Sequence, residues 1–410
     1  MKIIYILLLL LISVSAYANA GKQADEANSA VSLNTDPAVI SNEVNNGKLP
    51  YFTKDNKGNP VVCWTEEDSL GEIHFFFAVS EDKGKTFTLL RSIPVPENIK
   101  VHNESMPKVA FKGNGAVWAF FQTQEPGGHY ASNVRYLFSK DGGKSWSGSR
   151  FISADSTTGK SRSFFDVATL PDGEIGVVWL DKKMEGQEDG RPVFFAKTKG
   201  FGMDQPVVVD KQACECCRTD IISDGKGKIH IAYRNLEEGN IRDMAYVVSE
   251  DGGQTFSTPV KVSNDQWKID GCPHSGPALG SGKEMHAVWY TGKEGEKGVY
   301  YTSEFYKNRT KSKRLVSENR TAAHPQLCVI KNDEAITVWD ELVEQGDSSF
   351  RRIKYRVFGG EDEGTVSLSN EGHNASFPVV LSLGENSALI AWYESAGEKS
   401  RVIFKKVDLN

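Results

Sequence analysis

Cysteine is scarce in this chain, with six residues in 410, which is too few for the disulfide-rich scaffold of small secreted domains. An excess of positive charge is also missing, since 48 lysines and arginines face 54 aspartates and glutamates and leave a formal net charge of −6. The basic residues are scattered rather than clustered, which argues against a nucleic-acid partner. A convincing helical period is missing as well. The core must therefore come from strand packing.

Long apolar runs are missing except at the N-terminus. There, a basic start precedes an apolar run over residues 3–14, and small residues end at Ala20, a pattern typical of a secretory signal peptide. We therefore predict a signal peptide over 1–20 that is cut after Ala20, a flexible lead-in over 21–34, and a periplasmic or secreted protein. The run is shorter than the ~18 residues of a membrane span, and no cysteine stands at the cleavage position to carry a lipid anchor.

The remaining chain, 35–410, carries one pattern seven times. Each copy has an apolar strand that begins near a proline, a glycine- or asparagine-rich turn, and a second strand that ends in an aromatic residue. The aromatic positions recur at intervals of 50 to 58 residues: Trp64, Phe121, Trp179, Tyr233, Trp289, Trp339 and Trp392. Short strands with a period of about 50 residues are typical of a β-propeller. We predict one all-β domain, a propeller of seven blades with four antiparallel strands each.

Three copies carry a further motif between the third and fourth strands: SEDKGKTF from Ser80, SKDGGKSW from Ser139 and SEDGGQTF from Ser249. Each resembles the Asp-box, Ser-x-Asp-x-Gly-x-Thr-Trp, of the BNR repeats found in the sialidase superfamily and in many other secreted propellers. The resemblance covers nearly the whole mature chain. It implies that the boxes are structural hairpins on the face opposite the functional one, where the aspartate bonds the turn backbone and the aromatic residue fills the space between strands.

The two ends of the chain predict how the ring closes. The seventh copy ends at Val407 with no fourth strand after it, whereas residues 36–41 resemble the outer strands that begin at Pro259 and Arg314. We predict that this N-terminal segment completes the last blade, which removes a bare sheet edge. Sialidases have six blades, so six is the alternative count.

Two cysteine segments fall where neighbouring copies begin, namely Cys-Glu-Cys-Cys-Arg and Gly-Cys-Pro-His-Ser-Gly-Pro. In a propeller, the loops before the first strand and after the second strand share one face, which we call the top face, and function concentrates there. Because residues two apart on an extended segment point the same way, we predict a four-ligand site on this face. Its members are Cys214, Cys216, Cys272 and His274, with Cys217, His102 and His373 as further candidates.

Three thiolates and one imidazole suit copper or zinc, and copper is the first expectation, with no other cofactor indicated. Five of the eight histidines fall in predicted top-face loops, which favours a metal: His102, His129, His274, His324 and His373. Thiol redox chemistry is another interpretation of the same cluster. Disulfides stay open, because an exported protein meets oxidising conditions. Cys272 would then pair with Cys214 or Cys216, or a strained vicinal bridge would join Cys216 to Cys217.

The sialidase resemblance implies a second class of function, exo-α-sialidase-type glycoside hydrolysis. That chemistry needs three arginines to clamp a carboxylate, a tyrosine nucleophile assisted by a glutamate, and an aspartate acid/base. The place of the first arginine here reads Gly47-Lys48-Leu49-Pro50, without an arginine. The substitutes are Arg162, Arg218, Arg234 and Arg242 for the clamp, Tyr290 and Tyr393 as nucleophiles, and Glu341 and Glu394 as their partners.

A third possibility is a non-catalytic propeller that presents its top face to glycans or to a protein. Whether the chain is an enzyme, and if so a glycosidase or a metal-dependent redox enzyme, is open from the sequence. The expected partner is a metal ion, a small molecule or a glycan at the top face of a monomer, with no nucleic acid and no membrane span.

Overall fold

The structure is a computed structural model that describes residues 36–155, 161–303, 305, 313–360, 363–384 and 386–409. The predicted signal peptide and lead-in lie outside these residues. The regular elements of the described part are β-strands and short 3-10 turns such as Lys331–Asp333. Within it, no helix has the length and apolar character needed to cross a membrane.

The strands follow one another in a regular order. They are, along the chain, β1 (Ala38–Val39), β2 (Asn46–Lys54), β3 (Pro60–Glu67), β4 (Ile73–Val79), β5 (Arg91–Ile93), β6 (Ile99–Lys100), β7 (Lys108–Phe111), β8 (Val117–Gln124), β9 (Ser132–Ser139), β10 (Arg150–Phe151), β11 (Ser163–Thr169), β12 (Ile175–Leu180), β13 (Arg191–Lys199), β14 (Gly202–Met203), β15 (Val207–Ala213), β16 (Asp220–Ser223), β17 (Ile229–Arg234), β18 (Met244–Ser249), β19 (Val260–Lys261), β20 (Ala278–Ser281), β21 (Met285–Thr291), β22 (Gly298–Ser303), β23 (Arg314–Leu315), β24 (Ala323–Val329), β25 (Ala335–Gln345), β26 (Ser348–Phe358), β27 (Thr365–Ser367), β28 (Asn374–Gly384), β29 (Ser387–Ala396) and β30 (Lys399–Asp408).

These strands form seven antiparallel sheets, which confirms seven blades over six. Blade 1 is β2–β5, blade 2 is β7–β10 with β6 added to β8, and blade 3 is β11–β13 with β14 and β15 both paired to β13. Blades 4, 5 and 6 are β16–β19, β20–β23 and β24–β27, and blade 7 is β28–β30 with β1. Each blade's first strand contacts that of the next, and β28 contacts β2, so the first strands surround a central axis.

The ring closes as predicted, with the N-terminal strand on the outside of the last blade. In β1, Ala38 lies opposite Phe404 and Val39 lies opposite Ile403 of β30. The Ile40 amide continues the ladder by donating to the Val402 carbonyl at 2.9 Å. This pairing joins both ends of the described chain and covers the edge of β30.

The core is divided among the gaps between blades. Seven clusters of buried apolar side chains occupy the seven gaps, one between each pair of neighbouring blades. The strands alternate so that both faces of each sheet contribute, because every blade is covered on two sides. The largest fully buried side chains are dominated by tryptophans: Trp64, Trp118, Trp179, Trp289, Trp339 and Trp392. Packing between blades, rather than disulfide bonds, therefore stabilises the fold.

The three Asp-boxes repeat one set of hydrogen bonds. In the first box, Ser80 Oγ donates to Asp82 Oδ1 at 2.8 Å, and the same oxygen accepts the amides of Lys85 and Thr86 at 3.0 and 2.9 Å. The boxes around Asp141 and Asp251 repeat these bonds. Because each box joins the third strand to the fourth, it lies at the end opposite the top face.

The box aromatics fill space between strands of neighbouring blades. Each packs edge-on against a phenylalanine of the preceding blade. The ring centroids lie 5.0, 6.3 and 5.3 Å apart in the pairs Phe87–Phe404, Trp146–Phe77 and Phe256–Phe195. The boxes therefore tie neighbouring blades together at the bottom of the ring.

Candidate functional site

Two segments cross the top face on their way to neighbouring first strands. Residues 214–219 join β15 to β16, and residues 262–277 join β19 to β20. The first carries Cys214, Cys216 and Cys217, and the second carries Cys272 and His274. Their arrival on one face follows from the propeller topology, as the repeat predicts.

The candidate ligands form two clusters that share Cys216. In the trithiol cluster, the sulfur atoms of Cys214, Cys216 and Cys217 all lie within 4.8 Å of one another. In the mixed cluster, the ligand atoms of Cys216, Cys272 and His274 lie within the same distance. The sequence predicts a single four-ligand site, whereas the structure distributes its members over these two clusters.

A local turn explains this division. The prediction places Cys214 and Cys216 side by side on an extended segment, but Glu215 and Cys216 form a turn. The turn brings Cys217 back onto Cys214, with 3.4 Å between the two Sγ atoms. This separation is longer than the ~2.05 Å of an S–S bond, and all six cysteines, each within the described chain, are free thiols in the structure.

The two clusters differ in depth. The trithiol cluster is buried, with Cys214, Cys216 and Cys217 only 1%, 5% and 2% exposed. In the mixed cluster, by contrast, Cys272 and His274 are exposed. Cys216 therefore links a solvent-facing pair to a buried pair.

Of the further candidates, His102 joins the site and His373 lies elsewhere. The ring centroid of His102, which comes from blade 2, lies 5.3 Å from that of His274 and 5.7 Å from that of Phe164. Burial lowers the pKa of His102, and repulsion from His274 adds to this. His373 in blade 7 instead bonds Glu394 through Nδ1. His324 likewise bonds a carboxylate, with 2.8 Å between its Nδ1 and Oδ2 of Asp340.

Buried arginines hold both cysteine segments from below. Arg234 donates through Nε and Nη2 to the Ser275 carbonyl at 3.1 and 2.9 Å. Arg218 donates to the Gly276 carbonyl at 3.3 Å, and a Cβ at Gly276 would overlap the Arg218 carbonyl. On the other segment, Arg191 donates to the Glu215 carbonyl at 3.0 Å. These bonds fix the backbone that carries the ligands.

Arg242 contacts the trithiol cluster directly. Its Nη1 lies 3.1 Å from Cys214 Sγ. Hydrogen bonds from the Cys216 and Cys217 thiols lower the pKa of Cys214, and the charges of Arg234 and Arg242 act in the same direction. Burial raises the pKa of Cys217. The cluster thus favours negative charge on Cys214.

The axis beneath the site is narrow. Arg218 Nη1 lies 3.2 Å from Glu104 Oε2 of blade 2, and Nη2 donates to the Pro325 carbonyl of blade 6 at 2.8 Å. The cavity below has a volume of about 140 Å³, well under the ~300 Å³ lower bound of ligand pockets. Burial, and then repulsion from Asp166, raises the pKa of Asp220 in this cavity to about 8. The cavity on the axis is therefore small, and apolar as well as charged side chains line it.

Comparison with known proteins bears on the fold. Residues 96–279 match the family model described as a BNR repeat-like domain, and a search of curated protein sequences finds no match. A Dyadobacter fermentans protein of unknown function superposes with a TM-score of 0.52 at 14% identity, covering 92% of this chain and 98% of that chain. The GH93 α-L-arabinofuranosidase of Fusarium graminearum, in complex with arabinobiose, superposes with a TM-score of 0.52 at 13% identity, covering 91% and 98%. The NanB sialidase from Streptococcus pneumoniae gives a TM-score of 0.49 at 8% identity, covering 92% and 71%.

The chain is a seven-bladed β-propeller with three Asp-box hairpins, and it is similar to the BNR repeat-like domain over residues 96–279. The matched segment includes the Asp-boxes at Ser139 and Ser249. At these identities the two structures with TM-scores of 0.52 are similar to this propeller in fold alone, and fold alone does not carry an activity.

Three of the four arginines that could clamp a substrate carboxylate are engaged inside the propeller, while Arg242 is partly exposed and contacts Cys214 Sγ. Arg162 and Arg234 are each 1% exposed and Arg218 is 5% exposed. Arg162 pairs with Asp181 through Nε at 3.1 Å, while Arg218 and Arg234 bond the carbonyls described above. A clamp needs guanidinium groups that face the substrate, so these positions give the glycosidase interpretation little support.

The candidate tyrosines and glutamates also serve the propeller itself. Glu341 Oε2 accepts the indole N–H of Trp339 at 2.7 Å, and Glu66 and Asp181 accept the indoles two residues before them in the same way. Glu394 bonds His373. Burial raises the pKa of both Tyr290 and Tyr393, which disfavours the phenolate form of a nucleophile. The indole–carboxylate pair recurs in blades 1, 3 and 6 and is part of the fold.

Sequence reasoning missed three parts of the site. Arg191 looked like any strand residue, and Phe164 gave no signal of its place beside His102 and His274. The glycine of the Ser-Gly-Pro run was the available signal for the close approach of Arg218.

A third group of possible metal ligands, Asp68, Glu72 and His74, lies at the β3–β4 hairpin. There, His74 bonds Asp68 at 2.8 Å.

Proposed function

We propose that this propeller is an exported metal-binding protein that holds a soft ion, copper(I) before zinc(II), at the mixed cluster. The observation that carries the proposal is the convergence of Cys216, Cys272 and His274 from two blades within 4.8 Å. Two ligands of one ion lie at most about 4.6 Å apart when each metal–sulfur bond is about 2.3 Å. The spacing is therefore close to that of three ligands around one ion.

The arrangement allows an ion to enter from solvent. Cys272 and His274 are exposed, while Cys216 behind them is buried. His102 lies beside His274, with 5.3 Å between the ring centroids, but it is not a member of the group of ligand atoms that lie within 4.8 Å of one another. The exposed pair of ligands allows the metal ion to enter from solvent, and the buried thiol next to them holds the ion where water has less access.

The supporting groups behave as they do around metal sites. Ligand segments are commonly fixed by an outer layer of hydrogen bonds, and loss of that layer weakens metal affinity. Here Arg234 and Arg218 hold the Cys272–His274 segment, and Arg191 holds the segment with Cys216. Disulfide formation would need no such scaffold of buried cations beside thiols.

Copper is preferred over zinc because of the ligand set. Structural zinc is almost always bound by four ligands in a tetrahedron, whereas each cluster among the described residues offers three. Soft thiolates select copper(I). The N-terminal pattern over residues 1–20 supports export, where the metal would be met outside the cytoplasm.

The experiment is a metal-retention assay on the reduced protein. The protein is loaded with copper(I) without oxygen, washed with a copper(I) chelator and analysed for elemental copper, and a parallel sample is loaded with zinc(II). We expect the wild type to retain copper and Cys216→Ser to lose it, because Cys216 belongs to both clusters. Cys328→Ser, which removes a thiol in β24 of blade 6, is the matched control and should retain copper fully.

Melting curves of the metal-free proteins separate loss of ligands from loss of fold. Cys216→Ser should melt close to the wild type, since the exchange is small and leaves the arginine bonds to the backbone in place. Full copper retention by Cys216→Ser would place the metal elsewhere, and zinc retained in preference to copper would overturn the choice of metal.

A further inference from the structure

We propose that the top face binds two copper(I) ions side by side, one in the mixed cluster and one in the trithiol cluster, with the Cys216 thiolate bridging them. This inference rests on the proposed function and adds a second, buried site to it. The described residues offer two three-ligand clusters with a single member in common, rather than one cluster of five.

Distances set the number of ions. Ligands of one ion cannot lie much more than about 4.6 Å apart. The members of each cluster satisfy a 4.8 Å limit among themselves, but Cys214 and Cys217 do not join Cys272 and His274 within it. One ion therefore cannot reach all five ligands, whereas two ions that share Cys216 can.

The buried cluster has the composition that copper(I) accepts. Its three ligands are all sulfur, they are at most 5% exposed, and a 3.4 Å separation brings Cys214 and Cys217 close together. A buried set of three thiolates falls short of the four ligands that zinc takes, while soft thiolates suit copper(I).

The charges of the two-ion site balance within the structure. Four thiolates, from Cys214, Cys216, Cys217 and Cys272, and two copper(I) ions leave two negative charges. The Arg242 guanidinium touches Cys214 Sγ at 3.1 Å, and Arg234, which is 1% exposed, lies beneath both segments. Two guanidinium groups offset the two charges, as a buried ionic group requires.

The test is a copper(I) titration of the reduced protein without oxygen, in competition with a chromogenic copper(I) chelator. We expect two ions in the wild type and in Cys328→Ser, one in Cys217→Ser, one in Cys272→Ser, and none in Cys216→Ser. X-ray absorption identifies the ion that remains. Cys272→Ser should show sulfur ligands alone, and Cys217→Ser should show sulfur together with imidazole nitrogen.

The outcomes separate the two proposals. One ion in the wild type would overturn the second site and leave the proposed function standing, while none would overturn both. Two ions in Cys217→Ser would overturn the assignment to the trithiol cluster. The wild type alone gives a further check that needs no variant to fold, because the two clusters together predict five copper–sulfur bonds for each copper–nitrogen bond.

Discussion

The Asp-box hairpins at the bottom of the ring and the cysteine segments at the top are built on different plans. Each box satisfies its polar atoms internally, so that the serine hydroxyl and three backbone and side-chain donors converge on one aspartate. The cysteine segments have their backbone held by arginines from outside, while three sulfur atoms face one another. The boxes repeat in three blades, whereas the two cysteine segments occur only at the start of blades 4 and 5.

In a repeat protein, contacts that recur between blades and contacts that occur once have different roles. A contact that recurs in register in several blades, such as the box aspartate or the indole–carboxylate pair, serves the repeated fold. A cluster that departs from the repeat and leaves reactive atoms facing each other meets a need of the whole molecule, and it is the better candidate for function.

The largest expected effect concerns Arg218. This residue does not belong to the repeated pattern, yet its contacts stabilise the fold. Arg218→Met should lower the free energy of unfolding by about 3–5 kcal/mol, because it leaves the buried Glu104 carboxylate without its partner. Chemical denaturation measures the change. Lys199→Met removes an exposed partner of Asp204 and should cost at most about 1 kcal/mol.

A double variant completes the Arg218 test. Arg218→Met combined with Glu104→Gln should recover part of the lost stability, since the uncompensated charge is gone. If Arg218→Met melts like the wild type, the arginine is not a structural plug, and its candidacy as a substrate clamp regains support.

The fold was predictable because it rests on local, repeated patterns. The spacing of aromatics such as Trp64 and Trp179 set the blade count, and residues 36–41 resembled an outer strand closely enough to predict closure with β30. The contact of each box aromatic with the preceding blade was not predictable in this way. It depends on how neighbouring sheets meet, which no single repeat encodes.

The meeting of the two cysteine segments on one face was predictable from the sequence, whereas the arrangement of their side chains was not. The propeller topology alone placed Cys214, Cys216, Cys272 and His274 on one face. Their division into two clusters depends on the turn at Glu215, and the i, i+2 rule holds only on an extended chain. The roles of Arg218 and Arg234 depend on burial, which polar residues at strand ends do not reveal.

Two adjacent glycines of the second box test the contact between neighbouring blades, and their replacement should have an intermediate effect on stability. Gly142 and Gly143 have φ of +71° and +86°, but a Cβ at Gly142 meets open space while one at Gly143 lies 2.7 Å from the Phe77 ring. Gly142→Ala should cost about 1–2 kcal/mol for the left-handed backbone. Gly143→Ala should cost about 1–3 kcal/mol more for the forced packing.

Equal losses in the two glycine variants would contradict the contact between blades 1 and 2. Urea denaturation followed by tryptophan fluorescence measures both variants on one scale. Copper retention should stay unchanged in both, because the box lies at the end of the ring opposite the cysteine segments.

The smallest expected effect is a dependence of stability on pH that the Asp-boxes contribute and the cysteine segments do not. A hydrogen bond from Ser145 and then the backbone amides lower the pKa of Asp141, and Thr255 acts likewise on Asp251. A carboxylate whose pKa is lowered in the folded state adds stability above its unfolded pKa of about 3.9, and this stability is lost as the pH falls further. The double variant Asp141→Asn and Asp251→Asn should therefore be less stable than the wild type at pH 6, and the difference should narrow steadily as the pH falls below about 4. Two variants serve as controls. Asp347→Asn in the exposed β25–β26 turn and Cys216→Ser should both keep the wild-type dependence of stability on pH, because neither touches a box.

A stability difference between the double variant and the wild type that stays constant from pH 6 to pH 3 would contradict this prediction. It would show that the box aspartates stabilise the hairpins through their shape and not through their charge.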